Sequence, residues 1–136
     1  MTAKEYLSRA RRLDKRIDAN NEEIMRLRAY AERATSSYSA TRVGGTDQRS
    51  KLERAIERID ELERRIKDDT NDCITARRDI RDAINNVDKP DERLLLQLRY
   101  LNGKKWEEIA VEMNYSWRQV HNIHSVALQK IAHYCT

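Results

Sequence analysis

The chain has 136 residues, of which 37% are charged and 6% aromatic, with three Gly, one Pro and no Phe. That is helical, coiled-coil-like material, with little from which to build a sheet. Two cysteines make no disulfide framework, and neither a signal peptide nor the ~20-residue apolar run of a membrane span is present, so a reduced, cytoplasmic, non-membrane protein is expected.

The formal charge of +4 is unevenly spread. Residues 1–45 carry ten Lys/Arg against six Asp/Glu, 46–87 ten against eleven, and 88–136 seven against six.

Thr2 and Glu5 have capping-box spacing, which predicts a first helix over about 2–34. Tyr6, Ala10, Leu13, Ile17, Asn20, Ile24, Leu27, Ala31 and Ala34 fall alternately four and three apart. This is a heptad seam with one polar member, Asn20, and it needs a partner helix to keep the stripe out of water. Such a helix is about 50 Å long, too long for a small globular core. Its basic cluster, Arg9, Arg11, Arg12, Lys15 and Arg16, reads as a solvated flank. The functional reading is a second phosphate contact or an acidic protein partner.

Residues 35–46, TSSYSATRVGGT, break the periodicity and predict a flexible turn. Gly44-Gly45 has neither the flanking strand nor the spacing of a phosphate loop.

A second long helix is predicted over about 47–87. Leu52, Ile59, Ile66, Cys73, Ile80 and Val87 recur every seven residues, with Ala55, Leu62, Asp69, Ala76 and Ala83 at the other seam position. The polar run at 68–72 predicts a weak point or bend, and Asp69 sits awkwardly on the seam. The simplest arrangement is an antiparallel hairpin that brings Ile24 near Ile59, Ile17 near Ile66 and Ala10 near Cys73. A parallel dimer is the alternative.

Asp88-Lys89-Pro90 marks the predicted boundary between a hairpin domain, 1–87, and a C-terminal module, 88–136. Leu94, Leu95, Leu98 and Leu101 give a short support helix that stops at Asn102-Gly103. Lys104 and Lys105 follow in a turn, placed to touch phosphate. Ile109, Ala110 and Met113 then give an apolar stripe, and Asn114 tolerates the left-handed backbone of a sharp turn. Ser116 with Gln119 is a second capping box. Val120, Ile123, Ala127, Leu128 and Ile131 form the buried stripe of the last helix.

This is the logic of a helix-turn-helix whose second helix enters a major groove N-terminal end first. The expected reading surface is Ser116, Trp117, Arg118, Gln119, His121, Asn122 and Ser125. Arg118 suits guanine, and Asn122 or Gln119 suits adenine. His121 is expected to face DNA and His124 to lie at the rim. His121, His124, His133 and Cys135 do not close a metal site, so no metal or cofactor is expected. Nothing points to catalysis, and a non-enzyme is expected.

Residues 90–131 resemble region 4 of the sigma-70 family in LRYLNGKKWEEIA, in NYS opening the last helix and in Ala127-Leu128. The chain is most similar to small ArpU-like regulators encoded by phages and prophages. The resemblance implies an all-α fold, a long antiparallel hairpin followed by a region 4-like helix-turn-helix. It also implies sequence-specific transcription control in a bacterial host, with double-stranded DNA and RNA polymerase as partners. Nothing resembles the promoter-melting region of a complete sigma factor, so an activator or adaptor at a promoter-proximal element is expected. The near-neutral module makes a homodimer attractive. The alternatives are a small terminase-like packaging component and a coiled-coil protein adaptor.

Overall fold

Thr2 caps the first helix as its spacing predicts. The Glu5 N–H donates to Thr2 Oγ1 at 3.1 Å and the Thr2 N–H to Glu5 Oε2 at 3.2 Å. The computed structural model describes residues 1–41 and 45–135, side chains excepted at 37–41, 45–48 and 135. Among them are α1 (Ala3–Leu7), α2 (Arg9–Thr41), α3 (Gly45–Asn85), α4 (Pro90–Leu96), α5 (Trp106–Met113) and α6 (Trp117–Cys135), with no strand. None of these helices is long and apolar enough to cross a membrane.

Three boundaries differ from those predicted. The first helix is interrupted at Ser8, whose ψ is −3°. Side chains take up carbonyls there: Arg9 Nε donates to Tyr6 O at 3.0 Å, and Arg12 Nη2 donates to Glu5 O at 3.1 Å. Second, α2 continues past Ala34 to Thr41 and α3 begins already at Gly45, so most of the predicted turn at 35–46 is helical. Low helix propensity in the Ser/Thr run is only a weak prior, and Thr35 Oγ1 donates back to Ala31 O at 2.8 Å. What remains of that turn, 42–44, lies outside the described residues. Third, α3 runs helical through 68–72, where a bend was expected. Thr70 Oγ1 donates to Ile66 O at 2.7 Å within it.

The chain divides into two compact units, one of Lys15–Asn71 and one of Met1–Asp14 with Asp72–Thr136. In the first, Ile24, Ile59 and Leu62 form a small core flanked by Leu27 and Ile66. Arg16 meets Asp69, so residues early in α2 lie beside residues late in α3, an antiparallel order. Asp69 is explained by that contact: Arg16 Nε and Nη2 donate to its two oxygens at 2.7 and 2.6 Å. The guanidinium hydrogen bonding holds the Asp69 carboxyl below its usual range, against the opposing effect of burial.

The other unit holds the larger core. Leu7 and Ala10 join Cys73, Ala76, Ile80, Ala83, Ile84 and Val87 there, with Leu95, Leu96, Ile109, Val120, Ala127 and Ile131 from the helices that follow. Fully burying a Leu, Ile or Val side chain contributes roughly 1.5–3 kcal/mol, so both ends of the chain stabilise one core. Cys73 Sγ lies 3.2 Å from Asp14 Oδ1 and 3.7 Å from Ala10 O. Burial, then the hydrogen bond to Asp14, pushes its thiol up to about 11.

Pro90 opens α4, as its fixed φ favours at a first helical turn. The chain then widens into a π-helical turn, Gln97–Leu101, and stops at Asn102 and Gly103. Gly103 has φ +70°, a conformation an L side chain rarely adopts. The buried Glu92 receives Lys130 Nζ at 2.7 Å, and Asp88 receives it at 3.0 Å, which fastens α4 to the C-terminal half of α6.

Candidate functional site

The turn between α5 and α6 is set by Asn114, with φ 62° and ψ 37°. Its N–H and that of Tyr115 close the end of α5, donating to Val111 O at 3.2 Å and Ala110 O at 3.0 Å. The Tyr115 hydroxyl donates to Asp91 Oδ2, tying the turn to α4. Ser116 and Gln119 complete the predicted capping box. The Ser116 N–H donates to Gln119 Oε1 at 2.8 Å, and the Gln119 N–H donates to Ser116 Oγ at 3.2 Å.

One side of α6 is sealed by Val120, His124, Ala127 and Ile131, all buried. The other leaves Ser116, Trp117, Arg118, Gln119, Asn122 and Ser125 exposed. Arg118, Asn122 and Ser125 follow one another at helical spacing, so they share a face about 10 Å long. Gln119 keeps its amide nitrogen for other partners, its oxygen being engaged in the cap. Lys105 is exposed. Lys104 is half-buried, with Nζ on Glu112 Oε2 at 2.5 Å, so it is the less available of the two.

His121 stands differently from the expectation that it faces outward. It is half-buried, its ring centroid 3.9 Å from that of Trp117 and 4.9 Å from that of Trp106. Its Nε2 is enclosed without a hydrogen-bond partner among the described residues. His124, expected at the rim, is buried. Its Nε2 is 2.6 Å from the Tyr100 hydroxyl, and Trp106 meets its ring edge-on at 4.6 Å. Burial pushes His124 down to about 4 and Tyr100 up to about 12. Arg99 closes the stack, its guanidinium 4.6 Å from the Trp106 ring centre and its Nη1 donating to Lys104 O at 2.9 Å.

This aromatic stack supports the base of the exposed face. Sequence reasoning missed it, although the three-residue spacing of His121 and His124 places both on one side of α6. No group of His, Cys, Asp and Glu among the described residues is placed to hold a metal ion.

Residues 33–132 match a family described as a protein of unknown function, DUF1492. The chain belongs to the DUF1492 family. The match takes in the C-terminal end of α2, the whole of α3, α4 and α5, and most of α6, so the exposed face lies within the DUF1492 region. No curated protein and no solved structure matches the chain.

Proposed function

We propose that this chain is a sequence-specific DNA-binding regulator of transcription. Its architecture, on this reading, is a long antiparallel coiled-coil-like hairpin followed by a sigma-70 region 4-like helix-turn-helix. The observation that carries the reading is the free face of α6: Trp117, Arg118, Asn122 and Ser125 stand exposed together just after a left-handed turn and a capped helix start. A major groove about 12 Å wide admits one α-helix. Arg118 then donates two hydrogen bonds to a guanine edge, and Asn122 pairs with an adenine edge. Trp117, 62% exposed, is large enough to cover a thymine methyl or a sugar. Lys105 holds backbone phosphate, with Lys104 in a lesser role.

The resemblance of residues 90–131 to sigma region 4 and to ArpU-like regulators supports the same reading. It adds the expectation of a phage or prophage gene product that acts as activator or adaptor beside RNA polymerase, as a homodimer. The test is selection of genomic fragments by the full chain, followed by sequencing. Enrichment of one shared sequence is the expected outcome. Recovery of no fragment above background would leave the exposed face to a protein partner instead.

A further inference from the structure

We propose that one side of the Lys15–Asn71 unit, formed by Arg26, Tyr30 and Arg33 on α2 with Lys51 and Arg54 on α3, binds the phosphate backbone of double-stranded DNA. This rests on the DNA-binding reading above and adds to it a contact that reads no sequence.

Ion pairs between the two helices fix which residues share a side. Arg58 Nε lies 3.4 Å from Glu23 Oε1, and Arg28 Nη2 lies 2.8 Å from Glu63 Oε1. Arg28 follows Glu23 by five residues, and Glu63 follows Arg58 by five. Five residues turn a helix by about 140°, so the two pairs bridge α2 and α3 on opposite sides of the seam. Arg26, Tyr30 and Arg33 follow Glu23 by three, seven and ten residues, while Lys51 and Arg54 precede Arg58 by seven and four. At that spacing all five join the side of the Arg58–Glu23 pair.

The two sides differ in charge. Within residues 23–33 and 49–63, the first carries Arg26, Arg33, Lys51, Arg54 and Arg58 against Glu23 and Glu61. The second carries Arg28 and Arg49 against Glu32, Glu53, Asp60 and Glu63. Pairing sharpens the contrast. Arg28 and Arg49 are both spent, on Glu63 and Glu53, whereas on the first side only Arg58 is spent, on Glu23 and Glu61. Arg26, Arg33, Lys51 and Arg54 are exposed and make no ion pair or hydrogen bond among the described residues, not even with Glu22 or Glu57 one turn away.

These free cations stand in two rows, each roughly 5–10 Å long. A duplex carries one charge per ~1.7 Å of its axis, and each phosphate neutralised releases counterions. Tyr30, 43% exposed between Arg26 and Arg33, adds a hydroxyl that can donate to a phosphate oxygen. Beyond its ring the patch has no apolar floor, which a protein partner would need for the core of an interface. Polar, positively charged surface is what DNA takes. The contact also offsets the near-neutral charge of residues 88–136, where phosphate neutralisation would otherwise be scarce.

The test uses the full chain, the double variant Arg26→Gln with Arg54→Gln, and a control, Arg49→Gln with Lys67→Gln, that removes equal charge from the other side. Affinity for the selected duplex and for an unrelated one is measured across a salt series. The patch predicts a slope shallower by about 1.8 in the first variant, with both duplexes weakened alike. The control should keep the parent slope, and so should Arg26→Lys with Arg54→Lys. Equal slopes for parent and first variant overturn the patch, while a parent that prefers the selected duplex keeps the DNA reading. Lost self-association with that unchanged slope would assign the patch to the acidic side of a second copy. The same loss of slope in the control would make the effect one of net charge and overturn the patch too. Should the parent bind every duplex alike, the sequence-specific reading fails, and a slope that still depends on Arg26 and Arg54 supports the patch. No binding to either duplex overturns both.

Discussion

The Tyr100 hydroxyl and His124 Nε2 lie 2.6 Å apart with both side chains buried, a polar pair closed inside the core that carries α6. Burial holds His124 neutral, down to about 4, with the charges of His121, Lys4 and Arg99 acting in the same direction. An unfolded histidine titrates near ~6.5. Between those values the unfolded chain binds a proton that the folded chain does not. Stability is therefore full above about pH 6.5, falls as the pH drops, and levels off below the folded value, a loss on the order of 3 kcal/mol. Urea unfolding at a series of pH values should show this fall, and His124→Gln should flatten it. An unchanged pH dependence in the variant would assign the fall to other groups.

Asp69 and Arg16 offer a second test, in the other unit. The Asp69 side chain is 10% exposed and that of Arg16 61%, so removing one partner is not equivalent to removing the other. Arg16→Ala leaves a nearly buried carboxylate unpaired and should cost about 1–3 kcal/mol. Asp69→Leu restores an apolar seam and lets Arg16 turn to water, so it should be neutral or stabilising. Because Asp69 is depressed in the folded chain, the pair contributes fully above the ordinary Asp value of ~3.9 and is lost as pH falls through the folded one. Thermal unfolding of the two variants decides it. A large loss from Asp69→Leu would mean that the charge, rather than the packing, holds the two helices there.

Asn114, at φ 62°, permits a third. A left-handed residue with a branched side chain costs roughly 1–2 kcal/mol, so Asn114→Val should destabilise by about that much. Asn114→Gly should fold at least as well as the parent. Melting temperatures falling equally for both would show that the Asn side chain itself, and not the backbone angle, matters.

What could be read from the sequence follows local rules. Ile24 with Ile59, Ala10 with Cys73, the capping boxes at Thr2 and Ser116, and the turn at Asn114 all obey periodicity or cap chemistry. What could not be read depends on distant parts of the chain. Spacing placed His121 and His124 on one side of α6, yet their burial is decided by Trp106 on α5 and Tyr100 before it. Leu7 and Ala10 enter the same core as Leu98 and Leu101, which no pattern within either segment records. The continuation of α2 to Thr41 failed for the opposite reason, since a local propensity was given more weight than it holds.

The central claim is that α6 reads bases through Arg118 while Lys105 only holds phosphate. The most direct measurement is the affinity of the full chain, Arg118→Ala and Lys105→Ala for the selected site and for each of its single-base variants. Arg118→Ala should cost about 1–3 kcal/mol on the preferred site and lose discrimination at one base pair. Lys105→Ala should weaken every sequence alike and reduce the salt slope by about one. Uniform weakening by both substitutions, with discrimination intact at every position, would contradict base reading by this face.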